Sequence, residues 1–196
     1  MENISKLLVD KMLSKKLIEK KDQDMYIYSV QLILEKVIAY AALLALSVIF
    51  NVTIQTVIFI LFFSNIRRYS GGFHLKYFYT CFIFSSFLYI LWVNIICPRL
   101  GDYTKWSLLG LLITGSIILI LGAVNNPYIC WDKSEHKKNS ELTRLMILIE
   151  LFIAVALYFI KIDDSYLWYI SFAVTLSAAS LIIEKIKRRK FNNEEF

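Results

Sequence analysis

Apolar residues run through this chain in long blocks, not in the short amphipathic stretches of a soluble domain. Blocks close to the roughly 20 residues needed to cross a bilayer lie at 78–96, 106–124, 145–160 and 166–183. A longer block, 25–50, carries Glu35 and Lys36, and a short one, 53–66, runs directly into "RRYSGG". The pattern predicts six transmembrane helices. The second falls short of a full span, so it is expected to be tilted, broken or lining a cavity. Ahead of the first block, Ile4, Leu7, Leu8, Met12 and Leu17 fall roughly on one helical face with lysines around the rest, which predicts a helix lying on the inner leaflet. A solvated helix packed on the protein's own loops is the alternative. The expected fold is all-α: a polytopic membrane protein of about six transmembrane helices plus an N-terminal amphipathic interfacial helix. It is read as a single membrane domain over 1–196, with the interfacial helix at 1–24 and the transmembrane bundle at 25–190. Residues 1–24 lack an uninterrupted apolar core and a small-residue cleavage site, so they do not read as a secretory signal.

Composition and charge sharpen this picture. Hydrophobic residues make up 58% of the 196 and charged residues 19%, against roughly 45–50% apolar in an ordinary soluble domain. With the N-terminus in the cytoplasm, 18 of the 22 Lys and Arg fall on the cytoplasmic side, while Arg99, Lys105 and Lys161 fall outside and Lys36 lies within the first span. That asymmetry supports six spans in the plasma membrane with both termini cytoplasmic, and it places the segment 66–81 on the cytoplasmic face. The net charge of +6 sits mostly beside the membrane, where attraction to anionic lipid suffices to explain it, so nucleic acid is not implied. Cys81, Cys97 and Cys130 fall on different sides, which argues against a disulfide framework.

The densest chemical signal is "IRRYSGGFHLKYFYTC", residues 66–81. There are two histidines. His136 lies in "DKSEHKKNSE", which reads as a charged loop with a solvated imidazole. His74 follows Gly71 and Gly72, which allow backbone conformations closed to other residues, and precedes Cys81 at the opening of a span. On one continuous helix, residues seven apart sit roughly 10 Å apart along the axis, whereas base and nucleophile need roughly 3 Å. The chain must therefore bend between them, or His74 must lie off the helix, and the glycines supply such a break. Cys81 then sits in the first turn of the third span, where a helix N-terminus, Arg67 and Arg68 form surroundings that activate cysteine nucleophiles. A thiolate beside a base is what covalent acyl transfer requires. A loop histidine and a boundary cysteine also occur without any chemistry, and the residues by themselves leave that open. Two ligands are too few for zinc, so neither metal nor cofactor is expected. Glu35 shares a helix face with Gln31 and is a candidate for orienting His74 or binding substrate, or for pairing with a cation of another span. Glu150 is read the same way. Arg67 and Arg68 either bind the acidic tail of a peptide or anchor the span end in lipid headgroups.

The string "RRYSGGFHLKYFYTC" resembles the signature of the accessory gene regulator B family, AgrB: an arginine pair, glycine, a histidine, and a cysteine seven residues later. The likeness extends through the length, the basic N-terminal helix, the six apolar runs and the basic C-terminus. The loop before the fifth span departs from it. Where the family often carries a lysine-proline pair, this chain has Pro127 earlier and Lys137-Lys138 without a following proline, so no function is carried over for that loop. The resemblance implies a membrane cysteine endopeptidase of Gram-positive quorum sensing, with Cys81 as nucleophile and His74 as general base. Such an enzyme cuts the C-terminal tail from a short AgrD-like precursor and passes the acyl-enzyme thioester to an internal cysteine or serine of the peptide, closing a thiolactone or lactone. Gly71, Gly72, Arg67, Arg68, Gln31 and Glu35 are the candidate supporting or substrate-binding residues. The partners expected are that precursor peptide, the lipid bilayer and a second copy of the chain as a homodimer. The rival readings are a small transporter or channel lined by Glu35, Lys36 and Glu150, and a membrane thiol acyltransferase using Cys81 on lipid.

Overall fold

The computed structural model describes residues 2–73, 78–99, 103–125, 131–161 and 163–194, with side chains from 3 to 188 within those ranges. Among them are seven α-helices and no strand: α1 (Glu2–Ser14), α2 (Gln23–Ile49), α3 (Thr53–Ser70), α4 (Phe78–Leu91), α5 (Thr104–Leu121), α6 (Lys133–Ile160) and α7 (Asp164–Glu194). Five stretches are long and apolar enough to cross a membrane: Lys20–Ile49, Phe78–Arg99, Thr104–Leu121, Lys133–Ile160 and Asp164–Arg188. The chain is thus a polytopic helical membrane protein. The sixth expected span, α3, is not among these five, although its helix is unbroken. It runs for 18 residues through Arg67 and Arg68 to Ser70, about 27 Å at the helical rise.

The backbone forms two compact units, Met1–Ile49 and Phe50–Phe196. In the first, α1 packs on α2 through Ser5 and Val9, leaving Ile4, Leu7 and Leu8 exposed. Gln23 Nε2 donates to Asp10 Oδ1 at 2.8 Å across the same pair of helices. The buried stripe of α1 is therefore narrow, and its large apolar residues face outward, as they do in helices that lie in a membrane interface.

In the second unit α7 is the central helix. Buried residues make up 56% of its apolar stretch, against 17–22% for the stretches of α4, α5 and α6. Leu167, Ile170, Val174, Ala178 and Leu181 of α7 meet Ile66 of α3, Leu111 and Ile118 of α5, and Ile147 and Ala154 of α6. Helices α5 and α6 cross closely at Gly115, where an added Cβ would lie 2.8 Å from a methyl of Leu151; small residues at such crossings let membrane helices approach. Helix α4 is attached by its C-terminal end. Trp92 stacks on Phe172 with ring centroids 4.3 Å apart, and Tyr89 meets Thr56 Oγ1 at 2.5 Å. Towards its N-terminus α4 leaves Tyr79, Ile83, Phe84 and Phe87 exposed. The helix continues past Leu91 through a π-helical turn, Trp92–Ile96.

Helix α6 begins well before its apolar run. The segment containing His136, expected to be a loop, is helical, because Asp132 and Glu135 form a reciprocal capping box at its start. Such a box satisfies two otherwise orphaned N–H groups and lets a charged sequence nucleate a helix. The close α5–α6 crossing yields a prediction. Gly115→Leu should push the two helices apart at a cost of about 1–3 kcal/mol, seen as a lower midpoint of thermal unfolding in detergent. Gly110→Ala, which meets nothing within 4 Å, should leave that midpoint unchanged or slightly higher.

Candidate functional site

A helix ending in a membrane protein exposes its last four carbonyls, and the chain that leaves it still needs partners for its polar backbone. Helix α3 meets that need with a tight turn. Gly71 has φ +65° and Gly72 φ +96°, a region costly for any residue with a Cβ. Space excludes a side chain at both positions as well. A Cβ on Gly71 would strike the Val124 carbonyl and lie 3.1 Å from the Trp131 ring, and one on Gly72 would lie 2.8 Å from Ser180 Oγ.

The turn is gripped from three directions. The segment after α5 lies alongside it: Val124 N–H donates to the Ser70 carbonyl at 2.8 Å, and Gly72 N–H donates to the Val124 carbonyl at 3.3 Å. Helix α7 takes the next residue, with Phe73 N–H donating to the Ser180 carbonyl at 3.1 Å. Arg67, one turn back on α3, closes the arrangement. Its Nη1 donates to the Gly71 carbonyl and, at 2.7 Å, to Ser180 Oγ, while Nη2 donates to the Phe73 carbonyl at 3.1 Å. A planar guanidinium with five donors suits this divergent set of acceptors. The neighbouring helix end is built alike: Gly122 ends α5 with φ +64°, Ser140 Oγ accepts from Ala123 N–H at 3.0 Å, and Arg144 Nε donates to the Leu119 carbonyl at 3.0 Å.

Beside the turn, Tyr69 of α3 and Trp131, Glu135, Lys138, Asn139 and Leu142 line an open recess of about 400 Å³. Trp131 is fixed by Asn125, whose Oδ1 accepts from the Trp131 N–H at 3.2 Å and whose Nδ2 donates to the Trp131 carbonyl at 3.3 Å.

Cys81 is a free, half-buried thiol in the first turn of α4. Trp92, where α4 is held, lies eleven residues on, or about 16 Å along the axis. His74 and Cys130 lie outside the described residues.

Of the other residues singled out in the sequence, Arg67, Gly71 and Gly72 come together directly. Arg68 does not join them; it is exposed, its guanidinium 5.5 Å from the Tyr69 ring centroid. Gln31 Nε2 donates to Glu35 Oε1 at 2.9 Å along α2, within the first unit. Glu150 is 4% exposed, and neither of its carboxylate oxygens has a hydrogen-bond partner among the described residues. Sequence reasoning missed Ser180, Val124 and Trp131. Ser180 left a faint trace, since Ser177, Ser180 and Glu184 recur at helical spacing along one face of an apolar span.

These features define a class: a helical membrane protein with an arginine-buttressed Gly-Gly turn at the end of one long helix and a free thiol in the first turn of the next. A family model described as Accessory gene regulator B matches residues 2–181, and the chain belongs to the AgrB family. It is also 32% identical over 73 residues to an AgrB-like protein of Clostridium perfringens (strain 13 / Type A), a stretch covering 37% of this chain and 34% of that relative. No solved structure matches the chain.

The geometry of the turn makes Gly72 sensitive to the smallest side chain. Gly72→Ala should cost about 1–3 kcal/mol, lowering the thermal midpoint in detergent by about 3–10 °C with faster protease nicking after Phe73.

Proposed function

We propose that this protein is a membrane cysteine endopeptidase and peptide cyclase that matures a short quorum-sensing precursor of the AgrD type. The observation that carries the reading is the membership of the AgrB family across residues 2–181, combined with a free thiol at Cys81 in the first turn of α4. In this reading His74 takes the Cys81 proton, and the thiolate attacks the carbonyl at the junction between the ring-forming segment and the C-terminal tail. The tetrahedral adduct collapses with cleavage of the C–N bond, and the departing amine of the tail takes the proton from His74. The acyl group remains on Cys81 as a thioester. An internal thiol or hydroxyl of the peptide then attacks the thioester, Cys81 leaves as thiolate and regains a proton, and a thiolactone or lactone is released.

Exchange of a thioester between two thiols makes and breaks bonds of one kind, so little energy separates acyl-enzyme from ring. Water is the competing nucleophile, and a site at a membrane face limits its access. The bilayer also concentrates an amphipathic precursor beside the thiol. In the orientation favoured by the lysine and arginine distribution, the turn and Cys81 face the cytoplasm, where such a precursor is made.

The test is reconstitution of the full chain in lipid nanodiscs with a synthetic AgrD-type precursor peptide, read by mass spectrometry. The wild-type protein should release the tail and carry a transient thioester adduct on Cys81. Cys81→Ala should lose both, and Cys97→Ala should retain them. Tail release by the Cys81→Ala protein would end the proposal.

A further inference from the structure

The open recess beside the turn is lined by side chains of graded polarity. Glu135, Lys138, Asn139 and Leu142 follow one another at helical spacing on one face of α6, and Tyr69 and Trp131 close the sides. From Leu142 the same face runs on into the span as Leu145, Ile149 and Ile153, all of them exposed. Charged and hydrogen-bonding groups thus give way, within about two turns, to an apolar strip that leads into the bilayer. A small soluble ligand has no use for such a strip, whereas a molecule with a polar head and an acyl chain matches both parts. The aromatic walls fit the same occupant, because Trp and Tyr favour the level of lipid headgroups.

The walls are set in place without a ligand. Asn125 holds both backbone groups of Trp131, and the Trp131 ring lies against the turn, 3.1 Å from where a Cβ on Gly71 would stand. Charge selects the head. Lys138 is exposed and forms no ion pair among the described residues. The Arg68 guanidinium lies 5.5 Å from the centroid of the Tyr69 ring that forms one wall. Glu135 is engaged at the start of its own helix, with Oε2 accepting from Asp132 N–H at 3.2 Å. Two cations against one carboxylate leave a positive balance, and basic recesses between helix ends at a membrane face suit anionic headgroups. We propose that this recess binds one anionic phospholipid of the adjoining leaflet, with its phosphate on Lys138 and Asn139 and an acyl chain along Leu145, Ile149 and Ile153. The occupant braces Trp131 and, through it, the Gly71 turn. The site goes beyond the peptidase reading and does not rest on it.

Native mass spectrometry of the full chain in detergent, titrated with phosphatidylglycerol or with phosphatidylcholine of the same acyl chains, tests the proposal. The wild-type protein should bind its first phosphatidylglycerol about 5-fold more tightly than phosphatidylcholine. Lys138→Gln should remove that preference, and Asn139→Ala should weaken phosphatidylglycerol binding about 3-fold. Lys137→Gln removes the same charge from a different face of α6 and should change the affinity by less than about 2-fold. Thermal midpoints in lipid-free detergent should match wild type in all three variants, which separates lost binding from lost fold. Equal affinity for the two lipids, or an equal loss in Lys137→Gln and Lys138→Gln, would reduce the effect to diffuse surface charge and overturn the site. Inorganic phosphate that binds as tightly as phosphatidylglycerol would overturn the lipid as occupant. So would a Lys138→Gln protein that keeps its phosphatidylglycerol affinity but binds a synthetic AgrD-type precursor more weakly, since the recess would then belong to the peptide. None of the lipid titrations uses Cys81 or His74, so failure of the peptidase reading leaves their outcome standing.

Discussion

The Arg67 guanidinium is the constraint around which this end of the molecule is organised. A chain that leaves one membrane helix and heads for the next carries polar backbone groups, and at a membrane face they must be met by protein. Arg67 meets two carbonyls of the turn and the Ser180 hydroxyl at once. Hydrogen bonds to a charged donor are worth about 1.5–3 kcal/mol each in net terms, and stranding the acceptors costs a comparable amount. The glycines follow from this. Only a turn without side chains at 71 and 72 lets the guanidinium, the Val124 strip and Ser180 close on the same backbone.

The rest of the second unit serves to hold those partners still. Helix α7 supplies Ser180 and is the most buried span, so the acceptor that fixes Phe73 belongs to the most tightly packed part of the bundle. Helix α4 is different. Its grip lies at Tyr89 and Trp92, and the turn carrying Cys81 stands at the other end, beside exposed aromatic and aliphatic residues. The turn is firmly held, and the thiol stands on a helix anchored at its far end. Glu150, buried without a hydrogen-bond partner among the described residues, belongs to the core face of α6 and takes no part in this picture.

Much of the architecture was legible in the sequence because the bilayer sets a simple length rule. The blocks 78–96, 106–124 and 166–183 correspond to spans of α4, α5 and α7, and the block 25–50 to α2, with shifts of a few residues at the ends. The errors lie where polar chemistry overrode hydropathy. Helix α3 runs on through Arg67 and Arg68, because those side chains turn to the helix end and to the Tyr69 ring and do not break the helix. Helix α6 absorbs the charged segment around His136 because of the Asp132–Glu135 box, a spacing present in the sequence and overlooked. For the site, the Gly-Gly pair announced a special backbone, and Cys81 falls in the first turn of a helix as its position ahead of an apolar run suggested. The partners of the turn could not be read. Ser180 lies 113 residues from Arg67, and no local pattern links an arginine after one span to a serine inside another.

The central claim is that the guanidinium, and not positive charge alone, holds the turn. Hydrogen exchange across the backbone amides of residues 70–73 and 123–125 in Arg67→Lys protein tests it most directly. A lysine keeps the charge but offers a single compact ammonium in place of the planar fork. The account predicts exchange about 10- to 100-fold faster in those two segments, with the core of α7 around Ile170 and Val174 unchanged. Wild-type protection of both segments in the lysine variant would contradict it.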